Sequence, residues 1–216
     1  MERIRKSSRL VQFFLEKIGA KLDYHKLKKL VDFGFVLTEK LIVNLDKLHF
    51  IYLDIYDDMI ENEINLADIS KDKFVLHIGC GAIPATSILL TKKTGSQVKA
   101  IDNDLKAVKK AILYVNKTGF PKKIQIEHAD AKNYPVEKFD TIIISQGVKP
   151  IKDILEHIYR SMKDDAYVIF RTSSSPSGEI AKNDLFIKDK FNIDNLVAQK
   201  KNALLISILL KKRLRI

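Results

Sequence analysis

The stretch Phe74-Val75-Leu76-His77-Ile78-Gly79-Cys80-Gly81-Ala82-Ile83-Pro84 decides the fold. A short apolar strand runs into two glycines, whose missing side chains permit a tight turn and a close approach of backbone to ligand. Pro84 then suits the first turn of a helix. Outward from this point, helical segments alternate with β-branched runs: PATSILLTKK, QVKAID, DLKAVKKAILYVNK, KIQIEH, FDTIIIS, KDILEHIYRSM and AYVIFR. Alternation at this length is the signature of right-handed crossovers and a mostly parallel sheet covered on both faces. The last two apolar runs have only Lys200, Lys201 and Asn202 between them, too little for a crossover helix, so they form an antiparallel hairpin at one edge. The predicted fold is α/β and doubly wound, a mostly parallel seven-stranded sheet of Rossmann-like type with that edge hairpin and an N-terminal helical segment.

Before Ser70 the pattern differs. Leu27, Leu30 and Val31, then Leu37, Leu41, Ile42, Leu45 and Leu48, recur every three or four positions with charges between them, which reads as helices. Residues 1–69 are therefore expected to be a helical lid or cap, and residues 70–216 the sheet domain. Leu10, Phe13, Phe14 and Ile18 place an amphipathic helix near the start, and no apolar run approaches the roughly 18 residues that span a bilayer, so no membrane partner is expected. Lys and Arg total 38 against 27 Asp and Glu, a net charge of +11, which permits an anionic partner without requiring one. The single cysteine, Cys80, excludes a disulfide framework and a cysteine-built metal site, and fits a reducing, cytoplasmic compartment.

The glycine turn does not stand alone. The next strand ends in Asp102-Asn103, with Asp102 21 residues after Gly81, close to the spacing of about 20 expected of a carboxylate that accepts ribose hydroxyls. The third strand is followed by Ala129-Asp130, an acid placed to accept from an adenine amino group. Ser145 and Gln146 follow the fourth. Gly79, Cys80, Gly81, Pro84, Asp102, Asn103, Ala129, Asp130, Ser145 and Gln146 thus outline a candidate adenosine-ligand pocket. Pro84 stands where the dinucleotide fingerprint has its third glycine, and no Gly-Lys-Ser/Thr run follows, which argues against NAD, FAD and a phosphate-binding loop.

The arrangement resembles the class I S-adenosylmethionine-dependent methyltransferases, whose first motif is V-L-D-I-G-C-G and whose sheet ends in an antiparallel hairpin. The resemblance covers about residues 70–210 and implies S-adenosylmethionine as cofactor. His77 departs from it, because those enzymes commonly carry there an acid that helps orient the methionine moiety. Beyond the glycines, Ala82-Ile83-Pro84-Ala85-Thr86-Ser87-Ile88 is similar to the G-S-G-P-L-P-L-T-S-I run of nicotianamine synthases and related opine-metallophore synthases. Phe50 to Glu63 resembles their F-P-Y-Y-x-N-Y-x-x-L-x-x-L-E, with Tyr52, Tyr56 and Glu63 in register, and Phe170-Arg171-Thr172-Ser173 resembles their V-R-S loop.

This second resemblance implies transfer of an aminocarboxypropyl group from S-adenosylmethionine to an amine of a small molecule or amino acid. Glu63 is then the general base, Tyr52 and Tyr56 hold substrate charges, and Arg171 and Ser173 bind substrate. The rival readings are methyl transfer to a small molecule or RNA, and a non-catalytic S-adenosylmethionine- or RNA-binding module. RNA would suit the basic clusters at Arg3, Arg5, Lys6 and Arg9 and at Lys211, Lys212, Arg213 and Arg215. Asp57, Asp58 and Glu61 read as a solvated helix face and His77 as a half-buried strand residue. His25, His49, His128 and His157 read as structural or surface groups, and no metal site is expected.

Overall fold

A computed structural model describes residues 49–173, 184–199 and 202–214, the side chains of residues 49–52, 55, 173 and 202–204 excepted. In chain order the elements are helix α1 (His49–Ala67), strand β1 (Phe74–Ile78), helix α2 (Ala85–Thr94), strand β2 (Gln97–Asp102), helix α3 (Leu105–Asn116), strand β3 (Ile124–His128), strand β4 (Thr141–Ile144), helix α4 (Ile151–Ser161), strand β5 (Tyr167–Ser173), helix α5 (Leu185–Lys190), strand β6 (Phe191–Gln199) and strand β7 (Asn202–Lys212). The strands form one sheet in the order β3-β2-β1-β4-β5-β7-β6. The first five are parallel, and β7 joins β5 and β6 antiparallel, as the short Lys200-Lys201 connection requires.

Period-two alternation sorts the strand residues between two layers. Leu76, Ile78, Ile101, Ile142, Ile144, Val168 and Phe170 pack against Ile154, Leu155 and Ile158 of α4 and Ile187 of α5. Their neighbours Val75, Val98, Ile143 and Ile169 pack against Met59 and Ile60 of α1 and Leu89 and Leu90 of α2. Each aliphatic side chain fully buried in this way contributes about 1.5–3 kcal/mol. Met59, Ile60, Glu63 and Ala67 are the buried stripe of α1, which packs on α2 and on the β5, β7 and β6 part of the sheet within one compact unit.

Three sequence expectations need adjustment. The run AYVIFR predicts a strand that ends at Arg171, but β5 continues to Ser173 because β7 pairs with it as far as Leu205. Helix α5 has no counterpart in the sequence pattern: six residues are too few for periodicity, and its start rests on Asp184, whose carboxylate accepts from the N–H groups of Phe186 and Ile187. Pro84 lies one residue outside α2 rather than in its first turn, since Ala85 opens the helix and the Ile88 N–H donates to the Pro84 carbonyl. The expected helices before residue 49, the basic cluster Arg3–Arg9, Arg215 and His25 lie outside the described residues. Lys211, Lys212 and Arg213 are engaged within the chain, over the Tyr167 ring, with Asp164 and with Asn192 respectively.

Candidate ligand site and buried polar layer

The carboxyl ends of β1 and β2 are locked together by the glycine turn. Gly79 and Gly81 have φ of +78° and +65°, a region in which side chains are strained, and a Cβ on Gly79 would meet Val148 Cγ2 at 2.5 Å. The N–H groups of Gly79 and Cys80 both donate to the Ile101 carbonyl, so the turn follows the end of β2. Asp102 then holds the turn from its side chain: Oδ2 accepts the Gly81 N–H at 2.9 Å, while Oδ1 accepts that of Asp104 at 2.9 Å. Cys80 is buried against Ala100, Ala111 and Ile126.

Around this turn stand the other predicted cofactor residues. The Ala129 N–H donates to the Asp102 carbonyl, and the His128 ring bonds the Asn103 carbonyl at 3.1 Å. Asp130 is exposed and its Oδ1 accepts the Lys132 N–H, a bond that lowers its pKa. On the other side the Ser145 N–H donates to the Ile78 carbonyl, placing Ser145 next to Gly79; Ser145 and Gln146 are both half-buried. Tyr56 is half-buried against Ile83 and Ala85, directly beyond the glycines. The side chains of Tyr52 and Ser173 lie outside the described residues.

Across the β4, β5 and β7 ends the α1–α2 face turns polar. Glu63 is wholly buried, and Arg171 grips it in two-pronged fashion, Nε to Oε1 at 2.8 Å and a terminal nitrogen to Oε2 at 2.7 Å. The other terminal nitrogen of Arg171 donates to Thr86 Oγ1 at 2.9 Å. Ser207, opposite Arg171 on β7, donates to Glu63 Oε1 at 2.6 Å and receives a bond from Gln199, which in turn accepts from Asn62. A second bridge runs beside the first. His77, expected half-buried, is only 2% exposed and lies between Ser87 Oγ at 2.9 Å and Ser145 Oγ at 2.8 Å.

Burial of the ring, then the nearby Arg171 guanidinium, hold the His77 pKa well below 6.5, so the imidazole is neutral at neutral pH. Thr86, Ser87, Ser207, Gln199 and Asn62 were not singled out from sequence. The legible signal was Ser207, a hydroxyl inside the apolar run Leu204–Leu210, and Arg171 inside another, since a buried charge or hydroxyl demands a partner. Asp57 and Glu61 do face outward, paired with Lys93. Among the described residues no cluster of three His, Cys, Asp or Glu suits a metal, and no helix is long and apolar enough to cross a membrane.

Comparison with known proteins places this architecture. Residues 75–165 match the model of a methyltransferase domain. An L-histidine 2-aminobutanoyltransferase of Yersinia pestis is 34% identical over 116 residues, 52% of this chain and 43% of the relative. An uncharacterised protein of Methanocaldococcus jannaschii is 28% identical over 165 residues, 74% of this chain and 53% of that one. The chain spans about half the length of the curated relatives it matches. Among solved structures, a Glu-to-Gln variant of the nicotianamine synthase MtNAS in complex with S-adenosylmethionine superposes with a TM-score of 0.74 at 16% identity, covering 87% of this chain and 77% of the other. A putative S-adenosylmethionine-dependent methyltransferase of Methanococcus maripaludis gives 0.65 at 18% identity, covering 82% and 93%. The chain thus has the fold of the class I S-adenosylmethionine-dependent methyltransferases, and its more specific resemblance is to the nicotianamine synthases.

Proposed function

We propose that this chain is an S-adenosylmethionine-dependent transferase that moves the aminocarboxypropyl group to an amine of a small molecule or amino acid. The single observation that carries this reading is Glu63, an acid turned wholly inward from α1 onto the polar layer at the β5 and β7 ends, where the methyltransferase motifs call for none. The residues present fit an adenosine-bearing ligand: Asp102, half-buried at its strand end, accepts ribose hydroxyls beside the glycine turn, and Asp130 lies at the end of β3 for the base. When bound, the cofactor supplies a sulfonium with electrophilic carbons, and attack at the γ carbon rather than the methyl group releases methylthioadenosine rather than S-adenosylhomocysteine.

An attacking amine must first lose a proton. With both oxygens held by Arg171 and one also by Ser207, Glu63 rests as a carboxylate whose lone pairs are occupied. An acceptor carboxylate arriving at Arg171 frees a Glu63 oxygen, which then takes the proton from the same acceptor's amine. Tyr56, against Ile83 and Ala85, lines the approach. The names of the curated relatives support aminobutanoyl transfer at family level.

Methyl transfer is the second reading, favoured by the match of residues 75–165 to a methyltransferase domain. One experiment decides. The protein is incubated with S-adenosylmethionine and a panel of amines and amino acids, and the nucleoside product is identified by mass spectrometry. Methylthioadenosine supports the proposal, and S-adenosylhomocysteine overturns it.

A further inference from the structure

Behind the Glu63–Arg171 pair lies a ring of polar side chains that begins and ends on neighbouring residues of α1. Asn62 Nδ2 donates to Gln199 Oε1 at 3.0 Å, Gln199 Nε2 donates to Ser207 Oγ at 3.0 Å, and Ser207 donates to Glu63 Oε1 at 2.6 Å. Gln199 closes β6 and Ser207 lies within β7, so the ring ties α1 to the edge hairpin. Chemistry fixes the sense of each bond. The buried Arg171 guanidinium is always charged and demands a carboxylate, which only accepts, so the single Ser207 proton is spent on Glu63. The Ser207 lone pairs then require the NH2 group of Gln199, whose carbonyl is left for the NH2 group of Asn62. Gln199 and Ser207 are buried, whereas Asn62 is half-buried at the rim.

The ring makes the two oxygens of Glu63 unlike. Oε1 accepts from Arg171 Nε and from Ser207, while Oε2 accepts, among the described residues, only from a terminal nitrogen of Arg171. We infer that Ser207, Gln199 and Asn62 are positioning residues that reserve Oε2 for the proton of the acceptor amine. An acceptor carboxylate that draws the terminal nitrogen away bares Oε2 and leaves Oε1 held. The acceptor ammonium then gives one proton to Oε2, and the nitrogen lone pair so exposed forms the bond to the γ carbon. The electron pair of the broken C–S bond stays with the departing sulfur, and the positive charge of the sulfonium ends on the product nitrogen. A proton on Oε2 leaves all three ring bonds in their resting sense. On Oε1 it would force Ser207 to turn and both amides to flip with it. This inference rests on aminocarboxypropyl transfer being the reaction, and adds which oxygen is the base and what selects it.

The test uses the full chain with S-adenosylmethionine and, as acceptors, the twenty standard amino acids and spermidine. Turnover is read as methylthioadenosine and cofactor affinity by calorimetry. Ser207→Ala is expected to lower kcat roughly tenfold, the size of a hydrogen bond to a charged group, with cofactor affinity unchanged. Ser207→Thr, which keeps the hydroxyl, should restore it. Asn62 probes the ring from its rim, where the core is spared. Asn62→Asp accepts where Asn62 donates, so the Gln199 NH2 group turns to it and the Gln199 carbonyl takes the Ser207 proton away from Glu63. Its kcat should fall as in Ser207→Ala, and adding it to Ser207→Ala should cost nothing more, whereas Asn62→Ala should keep most of its turnover. In the ligand-free chain, NMR should show the Gln199 NH2 protons moving downfield in Asn62→Asp, as bonding to a carboxylate does. Equal losses in Asn62→Asp and Asn62→Ala, a threonine variant as slow as the alanine one, weakened cofactor binding or an unmoved Gln199 signal would each reduce the ring to packing and overturn the inference. No methylthioadenosine from the unaltered chain removes the transfer reading and the inference with it, whereas transfer that every variant leaves intact removes the inference alone.

Discussion

The two faces of the central sheet are built from alternate residues of the same strands, yet they do different work. Under α4 and α5 the side chains from Leu76 to Phe170 are apolar, with Thr172 at the upper end. Under α1 and α2 the lower rows are apolar but for the buried Thr141, and the row at the carboxyl ends holds His77, Arg171 and Ser207, capped by Glu63, Thr86 and Ser87. Leu76 and His77, Phe170 and Arg171, Ile206 and Ser207 are chain neighbours on opposite faces. Buried ions and hydroxyls cost desolvation that a well-packed apolar row would avoid, so stability does not explain the polar row. The proposed function makes it a working surface set into a structural one.

If that contrast is right, the largest effect comes from orphaning a buried charge. Arg171→Ala should cost about 3–5 kcal/mol in urea unfolding because it leaves Glu63 unpaired, whereas the double substitution Arg171→Met, Glu63→Leu should recover much of it. A double variant no more stable than the single one would mean that the pair carries a packing role no apolar residue can replace. At the ligand edge, Asp102→Ala should weaken S-adenosylmethionine binding by about 1.5–3 kcal/mol, read by calorimetry. Equal affinity would remove Asp102 from the site.

A smaller effect is expected from pH. The unfolded chain binds a proton at His77 near 6.5 while the folded chain resists it, so this contribution is complete above that value and is lost as pH falls below it, by up to about 1.4 kcal/mol per unit. His77→Phe should flatten the stability profile between about pH 5 and 6.5, a window set by the histidine range. A variant with the parent's slope would show that another group titrates there. Least of all, Ile144→Val on the apolar face should cost about 0.5–1.5 kcal/mol and leave cofactor affinity unchanged. A change in affinity would break the division of labour between the faces.

Much of this was legible from local pattern. QVKAID is β2 residue for residue, because β-branched residues bounded by glycine and a helix cap leave little choice. The glycine turn and Asp102 were readable together because parallel strands joined by one crossover bring their carboxyl ends side by side at a fixed chain spacing. The Lys200-Lys201 connection likewise forces antiparallel pairing, since nothing longer than a hairpin fits in it.

The polar layer was not legible in that way. Arg171 lies 108 residues from Glu63, and Ser207 lies 144 from it. Read singly, Glu63 belongs to the inner stripe of a helix, and His77 and Ser207 to strands, with no local period linking them. Sequence by itself determined the sheet, its edge hairpin and the glycine edge, since those follow from residue type and short-range spacing. Only the tertiary structure decided that Glu63 rests in an ion pair and that His77 is neutral between two serines, because partner choice and burial depend on which distant strands the register brings to the same row.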